Sequence, residues 1–460
     1  MHLATTGKLF DWEALDDAPD LIALKLFLQT LPDEKMLPAL RLRRFKGRND
    51  YPVATLWRVH WLRYFLRHPT MESCLAELRR NPALRELALI EQIADVPNPW
   101  NMTRFEEVLG EPEHLTLIRD MFATLISRLG AVVPDMGRHL AGDSSCLSAR
   151  ADSREDCLQD TRLPQPAGGR KEYSADDGKV ARVYEWFGYK FHLLVDVRHE
   201  VIVAWQVTSA TASDAGQIPE LLSQAQGNLP AGRIETLAYD KAADDVKTHQ
   251  LLHEQKIKPV VENRRLWQLE SERMLPGHDG KSNIVYDESG TVFCYDKVSD
   301  PPVRHKMAYT GHEKSRGTLK YRCPAVHEKW HCPMADICNK HKPYGKTVRL
   351  KQAIDLRRFP PIPRATKEFE RRYKGRTAVE RVNARCKLFW GADDGNVKGA
   401  KRFHAHIATI MAVHAIFATA LAAAPRYEGK SFSPVRLSKI AMALRAADTP
   451  SPPVPTEAGG

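Results

Sequence analysis

Tyr373, Arg376, Glu380 and Lys387 follow one another at offsets of three, four and seven residues. On a single helix advancing roughly 100° per residue, their side chains fall within an arc of roughly 60°. Such a stripe would join one carboxylate able to hold a metal ion with three groups suited to a phosphate backbone. Arg376 offers a planar bidentate fork, Lys387 a point charge, and Tyr373 a hydroxyl and an aromatic face. The chemistry this set suits is that of nucleic acid. A plainer role for Glu380 competes: Thr377-Ala-Val-Glu380 has the spacing of a capping box, and Gly375 would cost roughly 1 kcal/mol inside a helix, so a helix can begin at Thr377. Capping accounts for neither Lys387 nor the upstream pair, so a functional carboxylate is expected.

Two further carboxylates share a setting. Asp143 closes His139-Leu-Ala-Gly-Asp143 and Asp240 closes Thr236-Leu-Ala-Tyr-Asp240, each after apolar residues that read as a strand. Side chains at the ends of neighbouring strands converge over a sheet edge, and a helix packed there can deliver Glu380 to the same point. Three such groups repel one another unless divalent cations neutralise them. Paired magnesium ions about 4 Å apart would activate an attacking hydroxyl and stabilise the leaving oxygen of an in-line phosphoryl transfer.

The elements that must position these residues change texture along the chain. From Asp11 to about Ala131 the pattern is helical, with apolar pieces at Leu21 to Leu31, Val53 to Leu66, Met71 to Arg79 and Leu115 to Leu129, separated by Asn81-Pro82 and Pro97-Asn-Pro99. This reads as a helical module for DNA binding or dimerisation over residues 1–133, with an exposed basic stretch from Arg41 to Arg48. Strand-like text follows in 134–262. A short apolar entry from Arg138 ends at Asp143, and the polar residues Ser144 to Ala181 are expected to be irregular. Phe187 to Val197 and Val201 to Thr208 form a hairpin about Arg198-His-Glu200. A helix from Asp214 to Gln226, a strand from Ile234 to Tyr239, a helix from Asp245 to Gln255 and a strand from Ile257 to Val261 complete a mixed sheet flanked by helices. Residues 263–364 are too many for a plain loop and read as an inserted subdomain. Core helices return over 365–430, and the tail 431–460, ending in TPSPPVPTEAGG, reads as disordered at its end.

Composition fits this outline. The chain has 460 residues, 43% hydrophobic and 27% charged, with a net charge of +11, as expected of a soluble multidomain protein. His341 to Trp390 holds fifteen Lys and Arg against four Asp and Glu, an excess of eleven that equals the excess of the entire chain. A basic segment so concentrated favours a polyanionic partner, because neutralised phosphates release condensed counterions. No secretory signal opens the sequence, and His406 to Ala424, though apolar, carries Thr409, His414 and Thr419 and reads as a buried helix rather than a membrane span. Eight cysteines in a chain this long do not make a disulfide scaffold, so a reducing cytoplasmic setting is expected.

On these residues the chain resembles bacterial insertion-sequence transposases of the DDE class. The resemblance runs through Leu-Ala-Gly-Asp143-Ser-Ser, the strand from Trp186 to Asp196, Tyr-Asp240-Lys-Ala and the Tyr373, Arg376, Glu380, Lys387 signature. It implies a ribonuclease H-like α/β core, Asp143, Asp240 and Glu380 as ligands of magnesium or manganese, and Tyr373, Arg376 and Lys387 as contacts to the transposon end. Double-stranded DNA is the implied partner, with a dimer in the synaptic complex. Asp244 and Asp245 compete with Asp240, which is preferred because it ends the strand. Asp196 is given no role. A catalytically silent DNA-binding regulator and a plain nuclease of the same fold stand as alternatives.

Cys294, Cys323, Cys332 and Cys338 all fall in the insert and can supply four thiolates to a structural zinc, with His327, His331 or His341 as substitutes. Their spacing lacks the tight Cys-x-x-Cys knuckle, so independent reduced thiols are the competing reading. Trp267 and Trp330 can stack on an unpaired base or simply pack. His404 and His406, two apart on a helix, face different ways and are not joint ligands.

Overall fold

The computed structural model describes residues 19–44, 51–150, 162–174, 180–275, 282–394 and 397–423, so the expected disordered tail lies outside it. Helices come first: α1 (Pro19–Thr30), α2 (Met36–Arg44), α3 (Val53–Phe65), α4 (Met71–Arg80), α5 (Pro82–Leu87), α6 (Pro99–Leu109) and α7 (Pro112–Val132). Their starts are written in the sequence. Thr70, Asn81 and Asn98 each accept a backbone N–H in the first turn they cap, and α5, α6 and α7 begin on a proline, whose missing N–H would have no helical partner there anyway.

The sheet follows: β1 (His139–Ser148), β2 (Ala167–Ser174), β3 (Val180–Asp196), β4 (Ile202–Ser209), then α8 (Asp214–Asn228), β5 (Thr236–Tyr239), α9 (Val246–Glu254) and β6 (Lys258–Val261). Its order is β2-β3-β1-β5-β6, with β4 also paired to β3. Strand β3 runs antiparallel to β1, β2 and β4, whereas β5 and β6 run parallel to β1 and to each other. Antiparallel strands on one side and parallel strands on the other give the ribonuclease H-like mixed sheet. The expectation of irregular chain from Ser144 to Ala181 is corrected: β1 continues to Ser148, and β2 pairs with an extension of β3 that starts at Val180. Ser, Gly, Lys and Arg obscured the alternation there, because this hairpin is exposed over much of its length and needs few apolar residues.

Between β6 and the basic helices lie β7 (Glu272–Met274), β8 (Ile284–Asp287), β9 (Val292–Asp296), β10 (Val303–Lys306), β11 (Ala308–Glu313), β12 (Thr318–Arg322), α10 (Pro324–Glu328), α11 (Ala335–Cys338) and β13 (Thr347–Lys351). They form two antiparallel sheets around an apolar cluster of their own, including Ile284, Val292, Leu319, Tyr321, Leu350 and Phe359. The chain then re-enters through α12 (Lys367–Lys374), α13 (Thr377–Trp390) and α14 (Ala400–Ala423).

Helix α14 ties the molecule together. It packs against α7, α6, α1, α13 and β4, and one continuous core runs from the N-terminal helices through the sheet to this helix. Ala400–Ala420 is long and apolar enough to cross a membrane, yet it is buried from Phe403 onward. Its polar residues are satisfied inside: Thr409 donates to Ala405 O and faces His60 Nε2 at 3.0 Å, while His406 lies between the Tyr64 hydroxyl at 2.7 Å and Gly391 O at 3.1 Å. Burial pushes His406 down to about 3, with Arg63 adding to the shift, so a neutral ring donates to Gly391 and accepts from Tyr64.

Candidate active site

Strand pairing brings the two aspartates together. In the parallel β1–β5 ladder, Leu140 faces Leu237 and Ala141 faces Ala238, so Asp143 and Asp240 each lie two residues beyond the same paired position. Gly142 makes this possible: a Cβ there would meet the Tyr239 ring at 1.9 Å, so the ring fills space that only glycine leaves. Asp240 then turns the chain, its Oδ1 accepting from Ala242 N at 3.0 Å.

Helix α13 brings the third carboxylate. Its N-terminal region is fixed to the sheet because Gly375 lets the chain approach Val197, where a Cβ would come within 2.7 Å. It is also clamped by Glu200, at the β3–β4 turn, which accepts from Arg381 at 2.7 Å and from Arg385. Arg376 joins the acids directly. One guanidinium nitrogen lies 3.5 Å from Asp143 Oδ2 and another donates to Glu380 Oε1 at 2.6 Å. Burial opposes its charge, but Asp143 and Glu380 outweigh that and hold Arg376 above its ordinary value, with Asp240 contributing.

Asp143 is held in a largely buried setting. Burial pushes its carboxyl up to about 6; Arg376 and the Ser144 N–H resist the shift, and the nearby Asp240 charge reinforces it. The Tyr239 hydroxyl is buried without a hydrogen-bonding protein partner, beside Asp214, Asp143 and Asp240, so burial and those charges raise it well above the ordinary tyrosine value. A raised carboxyl, a neighbouring like charge and an unpaired hydroxyl are features that a hydrated cation would relieve. Among the described residues, however, no three His, Cys, Asp or Glu side chains stand at ligand spacing. Arg376 serves as the counter-charge in this arrangement.

The single-helix stripe is corrected. Tyr373 belongs to α12 and the other helix begins at Thr377, with Gly375 and Arg376 forming a tight junction of i→i−3 hydrogen bonds. The capping alternative fails too. No side chain caps α13, and the Thr377 hydroxyl donates to Lys374 O. The signature residues are pinned within the protein: Tyr373 donates to Glu262 at 2.9 Å, and Lys387 donates to Cys146 O at 2.7 Å and to Asp393 at 3.1 Å. Burial first, then Glu262, pushes the Tyr373 hydroxyl up to about 12.

The competing aspartates have other work. Asp244 is fully buried and accepts from Arg364 at 2.8 Å, Arg264 N at 2.7 Å and His249 at 3.0 Å, with Arg357 at 2.7 Å. Asp245 caps α9 through Thr248. Asp196 accepts from Gly137 N and His199 N and shapes the approach to β1. Sequence reasoning missed Glu200 as the clamp on α13, since a glutamate in a hairpin turn carries no signal of its arginine partners.

The four insert cysteines lie near enough to influence one another, though among the described residues they do not stand at metal-ligand spacing. Burial, then the thiols of Cys323, Cys332 and Cys338, pushes Cys294 up to about 12. Asn339 donates to Cys323 Sγ at 3.7 Å and Asn283 to Cys338 Sγ at 4.0 Å, while Lys346 bonds both asparagines. Trp267 packs on Tyr286 with Arg273 and Arg358 over its ring, and Trp330 packs on His305. His404 and His406 bond Pro164 O and Gly391 O respectively, as separate groups.

A family model described as "Transposase DDE domain" matches residues 137–416, which span all three carboxylates. The chain belongs to the DDE transposase family. No curated protein matches the sequence. Members of this family generally use divalent metal ions. In this transposase domain, the first aspartate strand, the second aspartate turn and the glutamate helix all lie within the matched region.

Proposed function

We propose that the protein is a DNA transposase that cuts the ends of an insertion sequence and joins them to target DNA, using Asp143, Asp240 and Glu380. The observation that supports this reading is Arg376 bridging Asp143 and Glu380 just beyond the β1–β5 pairing, with the Asp240 charge near enough to act on the same guanidinium. These carboxylates would hold magnesium or manganese, which supplies Lewis-acid activation of the attacking oxygen and charge neutralisation at phosphorus. Asp143 and Asp240 provide rigid ligands from the sheet. Glu380, with its side chain 48% exposed, is the one that can swing between Arg376 and an ion. The basic excess around α12 and α13 draws DNA toward them. Tyr373, Arg376 and Lys387 act mainly by fixing the carboxylate helix against the sheet, and their remaining surface meets the transposon end. The reaction belongs to the cytoplasm, on the nucleoid, with two copies uniting the element's ends.

The test uses Glu380→Gln. Magnesium-dependent cleavage of a duplex carrying the inverted repeats that flank the gene is expected to vanish, with binding of that duplex retained. Cleavage by the variant rejects the assignment. Wild-type protein that binds the ends without nicking in magnesium or manganese would be a regulator, and hydrolysis without strand-transfer products into a plasmid would make it a nuclease.

The insert thiols belong to the same proposal as a structural zinc site, because asparagine N–H groups aimed at two sulfurs are suited to thiolates. About one zinc per chain in protein purified without chelators supports it, and a content near zero rejects it.

A further inference from the structure

Beside Asp143 lies a cavity of about 290 Å³ whose lining includes Ser144, Ser145, Lys171, Arg182, Tyr184 and Lys387. Three of these are cations and none is a carboxylate. They come from four elements: the serines follow Asp143 on β1, Lys171 of β2 and Tyr184 of β3 face each other across their ladder, and Lys387 reaches in from α13. The cations stand beside the first of the proposed carboxylates, because Ser144 in the cavity wall directly follows Asp143 on β1. Lys171 and Arg182 are exposed to solvent, and the Lys387 ammonium, though bonded to Cys146 O and Asp393, sits at the cavity wall. The serine hydroxyls add donors of the kind that fix phosphate oxygens.

Resting on the transposase reading, we propose that this cavity seats a backbone phosphate of the DNA strand adjacent to the scissile one, gripped by Lys171 and Arg182 of the β2–β3 hairpin. Successive phosphates of a strand lie about as far apart as two residues of β1, roughly 6–7 Å. A strand with its scissile phosphate at Asp143 therefore brings the next phosphate alongside Ser145. The hairpin then does more than extend the sheet: it sets the register of the strand over the carboxylates.

The experiment measures binding, not cleavage, with a duplex carrying the flanking inverted repeat. For Lys171→Gln/Arg182→Gln, the slope of log K against log salt should flatten by about 1 to 2, with affinity down roughly tenfold or more at low salt. The charge-keeping Lys171→Arg/Arg182→Lys protein should hold the wild-type slope. A scan placing one neutral methylphosphonate at a time should locate a single adjacent phosphate whose neutralisation weakens the wild-type protein and leaves the glutamine variant unaffected. An unchanged slope in the glutamine variant, or equal sensitivity of both proteins at every position, overturns the proposal. Failure of the transposase reading would appear instead as wild-type protein that never cleaves, whatever the binding slopes.

Discussion

Replacing Asp143 with asparagine should stabilise the metal-free protein while abolishing its chemistry. Folding moves this carboxyl from an ordinary value of 3.8 to about 6. At about 1.4 kcal/mol per pH unit, that shift corresponds to a penalty of ~3 kcal/mol for keeping Asp143 ionised at neutral pH. Its side chain is only 21% exposed, so solvent relieves a minor part of this. Asparagine resembles the protonated acid in shape and charge. Imperfect fitting of its amide reduces the expected gain to about 1–2 kcal/mol.

The sign of the pH dependence follows from linkage. Between about pH 4 and 6 the folded protein binds a proton that the unfolded chain has released, so wild-type stability falls as pH rises through that window. Below it the penalty is absent, and above it the penalty is complete. The difference between Asp143→Asn and wild type should therefore be large at pH 7.5 and shrink toward pH 4.5. Urea unfolding in EDTA at the two pH values reads it directly. Magnesium should then stabilise wild type and narrow the gap, because only wild type retains the full ligand set. A variant less stable than wild type at pH 7.5 in EDTA, or a gap that does not shrink with acid, would refute the account of why this carboxyl is raised.

Asp244→Ala strands two buried arginines and should cost about 3–5 kcal/mol, with proteolysis of the 263–364 region as a second readout. The hydrogen bond from His249, then Arg364, the Arg264 N–H and Arg357, together outweigh the burial of Asp244 and hold its carboxyl below the ordinary value, so its contribution is present above about pH 4 and disappears as pH falls further. Gly142→Ala should destabilise by about 1–3 kcal/mol through collision with Tyr239, and Tyr239→Ala should recover part of the loss in the double variant, measured by urea unfolding. Glu200→Gln removes the charge that holds Arg381 and Arg385; cleavage should fall while DNA affinity holds, and a variant with normal cleavage would remove Glu200 from the positioning of α13.

The core of the fold was legible because its strands alternate with helices that carry their own start signals. Asp245, expected to open a helix, does cap one, and the strand ending at Asp240 has its predicted end. The β2–β3 hairpin was not legible. Its residues are largely exposed, and Gly169 leaves room for Trp186, so the apolar alternation that marks a half-buried strand is missing. The neighbouring positions of Asp143 and Asp240 could be anticipated from two similar apolar runs, although only Asp240 follows the end of its strand and Asp143 lies within β1. The burial of Asp244 could not, because its arginine partners lie 113 and 120 positions further along and nothing in the local sequence distinguishes it from Asp245.

The signature residues take on a different meaning once their partners are known. As a stripe on one helix they would have been a DNA-contact face, with each side chain presented to solvent. Instead Tyr373 reaches Glu262 after β6, Arg376 reaches Asp143 on β1, and Lys387 reaches the Cys146 carbonyl further along β1. Each side chain ties the helical pair to a different point of the sheet edge, and Glu380 sits among those ties. Three carboxylates placed together without a counter-charge would push the helix away from the strands. Arg376 supplies that charge to Asp143 and Glu380. It follows that Arg376→Ala should push the Asp143 carboxyl higher still, moving the acid limb of the pH–cleavage profile toward neutral pH. An unmoved acid limb in that variant would mean that Arg376 serves the DNA alone.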